Sequence, residues 1–319
     1  MSIAVVGSNM VDLISYIDRM PAEGETVEAP NFTMGCGGKG ANQAVACSRL
    51  GSKVTMVTRV GNDIFAENTI RNFQDNGIDT THVLTTEATS GVAPIFVDPD
   101  SKNSIIIVKG ANAHLTPQDV ENAREDIAKC SLIMLQLEIE LETVYSTIEL
   151  GNELGIPVLV NPAPASPELR LDKIRGAEFV VPNETELSLL SGMPVDDMDD
   201  VLKAAQVLLN VGIRNVIVTL GRKGAVWVHE GGSTYVDGRA VDAVDTTGAG
   251  DAFIGCFSHY WVETGDIEYA MRMARLYASD SVTRHGTQTS YATGEDFRGR
   301  LASDIAEVNL PGAADEKKA

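Results

Sequence analysis

The chain has 319 residues, 44% of them apolar and 22% charged, which places it among folded globular proteins and away from disordered or fibrous chains. At about 150 residues per domain, this length corresponds to two domain equivalents or to one large α/β body with an appendage. Its 25 Lys and Arg against 45 Asp and Glu give a net charge of −20, which repels a phosphate backbone and argues against nucleic acid as a partner, so any anion site has to be built locally.

In chain order, Ile3 to Val6 is a short apolar run that ends in Gly7-Ser8-Asn9, the pattern of a buried strand delivering a loop to one edge of a sheet. Similar strand patterns follow at Val54 to Val60, Leu132 to Leu137, Pro157 to Val160, Phe179 to Val181 and Val216 to Leu220. Helical patterns lie between them at Ala41 to Leu50, Ala66 to Asn76, Pro117 to Ala128, Leu141 to Leu154 and Val201 to Val211. Strands alternating with helices predict a mainly parallel sheet covered on both faces, an α/β/α sandwich whose ligands bind beyond the carboxyl ends of the strands. Two long helices are predicted near the end of the chain, at Asp251 to Glu263 and Ile267 to Arg284.

Two regions break the rhythm. Ile14 to Met34 carries Pro21, Gly24 and Pro30, and Gly91 to Gly110 has two β-rich runs, Val92 to Val97 and Ser104 to Val108, around the turn Asp98 to Asn103. These read as a small inserted β-sheet that could cover a cleft as a lid or, through an exposed apolar face, dimerise. The expected division is therefore a body of residues 1–13, 35–90 and 111–312, a β lid of 14–34 and 91–110, and a flexible tail at 313–319.

No apolar run approaches the ~18 residues of a membrane span, and the start of the chain has no basic residue before Arg19, unlike a signal peptide. No membrane partner is expected, and the cytoplasm is the expected compartment. The four cysteines, Cys36, Cys47, Cys130 and Cys256, lack a C-x-x-C pair and read as free thiols, and the five histidines form no zinc-ligand pattern.

Gly35-Cys36-Gly37-Gly38-Lys39-Gly40 satisfies G-x-G-x-x-G in form. It lies about thirty residues beyond the first strand rather than in the turn after it, so a nicotinamide site is not supported. A Walker A loop is absent, because Lys39 is followed by Gly40 and not by Ser or Thr. What is left is a glycine-rich loop opening a helix, with Lys39 and Asn42 as hydrogen-bond donors and backbone free to approach a ligand. The second site is Asp245-Thr246-Thr247-Gly248-Ala249-Gly250-Asp251, followed by an apolar helix pattern. Small residues at a helix start leave N–H groups uncovered at the positive end of the helix dipole, which makes an anion hole. Asp251 could be a favourable first-turn charge, but an acid beside an anion hole is also a general base next to a phosphoryl group.

With these motifs in place the chain resembles the PfkB carbohydrate kinases, also called the ribokinase family. Gly37 to Ala44 with Gly51 and Gly61 fits the family's first signature and Asp245 to Asp251 its second, with Cys256 a departure where Gly or Ala is usual. The likeness reaches to about residue 305. It implies a three-layer ribokinase-like fold and transfer of the γ-phosphoryl group of ATP to O5 of a sugar, with Mg2+ and a monovalent cation, expected to be K+, as cofactors. Asp251 matches the base, and Gly248, Ala249 and Gly250 match the anion hole. Asp12, Gly38, Lys39, Asn42 and Glu138 match sugar-holding positions. Asn183 and Glu186 match the N-x-x-E motif that organises magnesium and phosphates, while Thr219, Gly221 and Gly224, together with Gly250, match positions around the nucleotide. Asp245, Thr247, Ser281, Arg284, Gly286 and Ser290 match positions around the monovalent cation, chiefly through backbone oxygens. A homodimer formed through the β lid is a further expectation from the resemblance.

Met10 departs from the Asn usual at the matching position of ribose-specific members. A thioether is apolar and a weak acceptor, so a 2-hydroxyl buried against it goes under-satisfied by about 1–3 kcal/mol, whereas a CH2 fits. The expected acceptor is 2-deoxy-D-ribose, with D-ribose as the alternative. The segments Gly7 to Asp12 and Gly91 to Val97 also resemble members acting on deoxyribose. A silent sugar sensor on the same fold would have lost Gly248 to Asp251, which are intact.

Overall fold

The computed structural model describes residues 1–99 and 103–308. The tail expected at 313–319 and the tip of the turn at 100–102 lie outside the described residues.

From the start of the chain the strands are β1 (Ser2–Val6), β2 (Met10–Tyr16), β3 (Asn31–Gly37), β4 (Lys53–Val60), β5 (Asp79–Thr85), β6 (Val92–Val97) and β7 (Asn103–Ile105). They continue as β8 (Leu132–Leu135), β9 (Val158–Val160), β10 (Phe179–Val180), β11 (Asn215–Thr219), β12 (Gly224–His229) and β13 (Gly232–Asp237). The helices are α1 (Lys39–Leu50), α2 (Ile64–Asp75), α3 (Pro117–Asn122), α4 (Arg124–Ile127), α5 (Leu141–Leu154) and α6 (Leu171–Ile174). They end with α7 (Glu184–Ser191), α8 (Met198–Val211), α9 (Ala249–Thr264), α10 (Ile267–Ser281), α11 (Gly294–Arg300) and α12 (Ala302–Val308).

Nine strands form one sheet in the order β13-β12-β11-β10-β9-β8-β1-β4-β5. Seven are parallel, and the β12–β13 hairpin closes one edge antiparallel. The period-2 alternation of β1 sends Ile3 and Val5 to one face and Ala4 and Val6 to the other. The first face packs on α1, α2, α9 and α10, and the second on α3 to α8, so both faces are dry and the expected α/β/α sandwich is what forms. The chain runs outward from β1 to β4 and β5, then returns to β8 on the other side of β1. That reversal opens a crevice at the carboxyl ends of β1 and β8, where ligands of such sheets bind.

The second sheet, β3-β2-β6-β7, is mixed: β2 pairs parallel with β6 and antiparallel with β3. Two of its strands overrun the segment 14–34, since β2 begins at Met10 and β3 ends at Gly37, while β6 and β7 lie within 91–110. Residues Met10, Asp12 and Gly37 are thus part of one continuous strand pair with the small sheet.

Several sequence expectations need correction. The helix predicted over Pro117 to Ala128 is two short helices, because Ala123 sits at ψ 0° between them. The helix predicted to Arg284 stops at Ser281, and the Arg284 guanidinium turns instead to Asp280 and the Ser290 carbonyl. The strand predicted to Leu137 ends at Leu135, where Leu137 N–H pairs with the Ala163 carbonyl. The run Ser104 to Val108 supplies only β7 and a bridge from Val108 to Val92. The strands β5, β12 and β13 were not anticipated: β5 is a polar edge strand, and the hairpin turns at Glu230-Gly231.

Candidate active site

Two helices aim their N-termini at the crevice, and their contact sets the geometry. Helix α9 lies against α1 because Gly255 has no side chain: a Cβ there would stand 2.5 Å from the Ala46 Cβ, and the Gly255 carbonyl accepts from the Cys47 thiol at 3.2 Å. One helical turn earlier on each helix, Asp251 meets Asn42 and Gln43. Asn42 Nδ2 donates to Asp251 Oδ2 at 2.9 Å and Gln43 Nε2 to Asp251 Oδ1 at 3.0 Å, so both oxygens of a buried carboxylate are satisfied by amides.

The start of α1 is built around Glu138, which follows β8. Glu138 Oε2 accepts from Ser8 Oγ at 2.5 Å and from the Lys39 backbone N–H at 2.8 Å, serving as the cap that Gly38 does not provide. Gly40 must be glycine, since a Cβ would lie 2.6 Å from the Ser8 nitrogen. Asp12, on β2, rests on Gly37, where a Cβ would be 2.3 Å from its carboxylate. Burial, with Glu138 and Asp251 nearby, pushes the Asp12 carboxyl up to about 7. Glu138 is also raised, by burial that outweighs Lys39 and Ser8. Burial alone would depress Lys39, but the carboxylates of Asp251, Glu138 and Glu186 outweigh it and hold the ammonium above its usual range. Lys39 thus stands among the carboxylates of Asp251, Glu138 and Glu186, with Asp12 near Glu138 and Asp251, an arrangement suited to a polyhydroxylated neutral ligand.

That second site is the start of α9. Its N-cap is Gly248 at φ +73°, with no side-chain cap, and a Cβ there would meet Thr287 Cγ2 at 2.3 Å and Tyr291 Oη at 2.6 Å. The Tyr291 hydroxyl donates to the Gly248 carbonyl at 2.9 Å and fixes the turn. A Cβ on Gly250 would meet nothing within 4 Å, so the first turn is open on that side beside Asp251, while the Ala249 N–H donates to the Thr246 carbonyl at 3.2 Å.

The remaining predicted residues fall into three places. Asn183 and Glu186 form a capping box on α7, Asn183 N–H to Glu186 Oε2 at 2.9 Å and Glu186 N–H to Asn183 Oδ1 at 2.8 Å, with the Glu186 carboxyl raised by burial. Thr219 N–H binds the Pro182 carbonyl at 2.9 Å, joining the end of β11 to this cap. Gly221 and Gly224 follow at φ +54° and +110°, and Gly221 has open space above it. Asp245 accepts from Thr247 N–H and Gly286 N–H, both at 2.9 Å, and these donors, against burial, hold its carboxyl below the usual range. It thereby ties the α9 turn to the segment 284–290. In that segment the Ser290 carbonyl is taken by the Arg284 guanidinium, and Ser281 Oγ donates to the Ala278 carbonyl. Met10 is sealed, 1% exposed, with its sulfur 3.7 Å from Asn112 Nδ2 and Gly91 beside it.

Sequence reasoning assigned no role to Ser8, Gln43, Gln136, Asn161, Gln288 or Tyr291. Gln43 lies inside the glycine-rich signature and was legible as part of it. Ser8 lies inside the run Gly7 to Asp12 and bonds Glu138, while Gln136, Asn161, Gln288 and Tyr291 have no local pattern, because only the fold brings them to Gln43, Asn42 and Gly248 around Asp251.

An open anion site at a helix N-terminus with a buried carboxylate beside it defines the apparatus of a group-transfer enzyme acting on a hydroxyl. Comparison with known proteins narrows this. The model of the pfkB family carbohydrate kinases matches residues 1–294. A deoxyribokinase of Salmonella typhi is 57% identical over 303 residues, covering 95% of this chain and 99% of that protein. A ribokinase of Haemophilus influenzae is 36% identical, covering 92% and 96%. The structure of Arabidopsis thaliana ribokinase complexed with ribose and ATP superimposes with a TM-score of 0.88 at 29% identity, covering 97% and 99%. The chain belongs to the pfkB family of carbohydrate kinases and has the ribokinase fold. It is a phosphotransferase whose acceptor is a sugar hydroxyl.

Among the described residues no three His, Cys, Asp or Glu side chains cluster as a metal cage. Among the described residues no helix is long and apolar enough to cross a membrane.

Proposed function

We propose that this chain transfers the γ-phosphoryl group of ATP to O5 of 2-deoxy-D-ribose, with D-ribose a poorer acceptor. The observation that carries this reading is the 57% identity over nearly the full length to a deoxyribokinase, against 36% to a ribokinase. The crevice supplies a matching chemistry. Asp12, Lys39, Asn42, Glu138 and the backbone at Gly38 hold the sugar hydroxyls, and Asp251 accepts the proton of the attacking hydroxyl. Gly248, Ala249 and Gly250 receive the charge of the transferring group through backbone N–H donors. Thr219, Gly221 and Gly224 take the nucleotide. Magnesium near Asn183 and Glu186 supplies charge neutralisation on the phosphates. A monovalent cation, K+ by expectation, takes backbone oxygens around Asp245, Thr247, Ser281, Arg284 and Gly286, with the Ser290 carbonyl already engaged by Arg284.

Met10 places an apolar thioether where a hydrogen-bonding amide would favour ribose. The small sheet acts as the lid, and its exposed Phe32, Met34 and Ile106 support a homodimer through that face. Four free cysteines fit a cytoplasmic setting.

The test is ATP-dependent phosphorylation of 2-deoxyribose and ribose side by side, with potassium present and the product's phosphorylated position read by NMR. The reading requires a higher kcat/KM for 2-deoxyribose and a 5-phosphate product. A ribose preference would make ribose the physiological acceptor, and turnover of neither would remove the substrate assignment.

A further inference from the structure

The carboxylate of Asp251 sits at the meeting point of two runs of amides, all buried except the half-buried Asn72 at the outer end of one. On one side Asn72 Nδ2 donates to Gln288 Oε1 at 2.8 Å, Gln288 Nε2 to Asn42 Oδ1 at 3.0 Å, and Asn42 Nδ2 to Asp251 Oδ2 at 2.9 Å. On the other, Gln136 Nε2 donates to Gln43 Oε1 at 2.6 Å, and Gln43 Nε2 to both Asp251 Oδ1 and Asn161 Oδ1. An ionised carboxylate only accepts, so it dictates that Asn42 and Gln43 turn their NH2 groups toward it. Their carbonyl oxygens then need donors from behind, which Gln288 and Gln136 provide. Asn72, Gln288 and Asn42 in the first run, and Gln136 and Gln43 in the second, each donate toward Asp251, while Asn161 accepts from Gln43 and donates to the Val181 carbonyl.

We infer that Gln288 is a positioning residue for Asp251, locking the Asn42 amide in the orientation that donates to the carboxylate and leaves its free lone pairs for the attacking sugar hydroxyl. The inference rests on the reading of Asp251 as the base. Gln288 lies outside the first contacts of the carboxylate and comes from the turn Gln288–Ser290, while Asn72 comes from α2 and Asn42 from α1. The turn itself is held by other means. The Arg49 guanidinium donates to the Gln288 and Tyr291 carbonyls at 2.6 and 2.7 Å, so the backbone keeps its anchor when the Gln288 side chain changes.

Gln288→Glu replaces the donor facing Asn42 Oδ1 with an acceptor, and still accepts from Asn72. Asn42 must then turn over and present its oxygen to Asp251, which costs the carboxylate an N–H donor and raises its proton affinity. Gln288→Met removes the donor without adding charge. The charged and titratable groups around Asp251 are Asp12 from β2, Lys39 from α1, Glu138 after β8, Glu186 from α7 and Tyr291 after the turn; Gln288→Glu adds a carboxylate of its own to these, and Gln288→Met separates the loss of the donor from that added charge.

The experiment is the pH profile of kcat for 2-deoxyribose phosphorylation, whose acid limb reports the base in the sugar-bound enzyme, for wild type, Gln288→Glu, Gln288→Met and Asp251→Asn, with thermal unfolding of each. Gln288→Glu should lower kcat about tenfold at neutral pH and move the acid limb up by about one pH unit. Gln288→Met should move it in the same direction by less, with cooperative unfolding retained in both. An acid limb that stays in place in both Gln288 variants overturns the inference, whatever happens to the rate. If Asp251→Asn keeps full turnover, the base reading itself fails. If Asp251→Asn is inactive while the Gln288 limbs do not move, the inference alone fails.

Discussion

Helices α7 and α9 both begin at the crevice, and they treat their exposed N–H groups in opposite ways. Helix α7 closes its own end with the reciprocal Asn183 and Glu186 bonds. Helix α9 begins at Gly248 with no side-chain cap and has open space above Gly250, although it is the longer and more deeply buried of the two. A helix that leaves its donors unpaired gives up about 1 kcal/mol of capping. Helix α7 thus closes its N-terminus with its own side chains while α9 leaves its N-terminus uncapped, and under the proposed function the uncapped end receives the transferring group.

Gly250→Ala breaks the contrast most strongly. Its methyl has room and Ala is the better helix former, so the melting temperature should hold or rise, while the methyl enters the anion site and kcat/KM for ATP falls about 100-fold. Unchanged turnover would remove the site from α9. Next in size, Met10→Asn should shift the ratio of kcat/KM toward ribose by about tenfold, measured with both sugars, and an unmoved ratio would assign Met10 to packing alone. Asn183→Ala tests the closed end: loss of the cap should cost about 1 kcal/mol, read as a melting temperature lower by about 2–4 °C. The smallest effect concerns pH. The Asp12 carboxyl is raised to about 7, so the folded state holds this proton more tightly than the unfolded chain. Its contribution to stability is therefore fully present below the carboxylate's ordinary range and is lost as pH rises through about 7, while sugar binding by the ionised form rises over the same interval. Melting temperature and sugar affinity measured from pH 5 to 8 should move in opposite directions, and parallel movement would contradict the assignment.

Much of the fold was legible because buried parallel strands and amphipathic helices carry strong periodicities. The α5 pattern at Leu141 to Leu154 coincides with the helix, and Ile3 to Val6 lies within β1. What escaped was weakly patterned: the polar edge strand β5, and a helix break at Ala123 that depends on one ψ angle. The small sheet shows a related limit, since its strands run on through Met10 and Gly37 into the residues proposed to hold the sugar, with no change in composition to mark the passage. At the site, residues inside the two glycine-rich motifs could be read as a set because their chemistry is local in sequence. The amides that surround Asp251 could not, because Asn161 and Gln288 lie 118 and 246 positions from their partners Gln43 and Asn42 and are ordinary polar residues in their own segments.

The most direct test of the account is Asp251→Asn, assayed for turnover and, by calorimetry, for sugar binding. Asp251 is held by Asn42 and Gln43 beside an open anion site, so turnover should fall about 10³-fold while sugar affinity changes little. Turnover within a few-fold of wild type would contradict it.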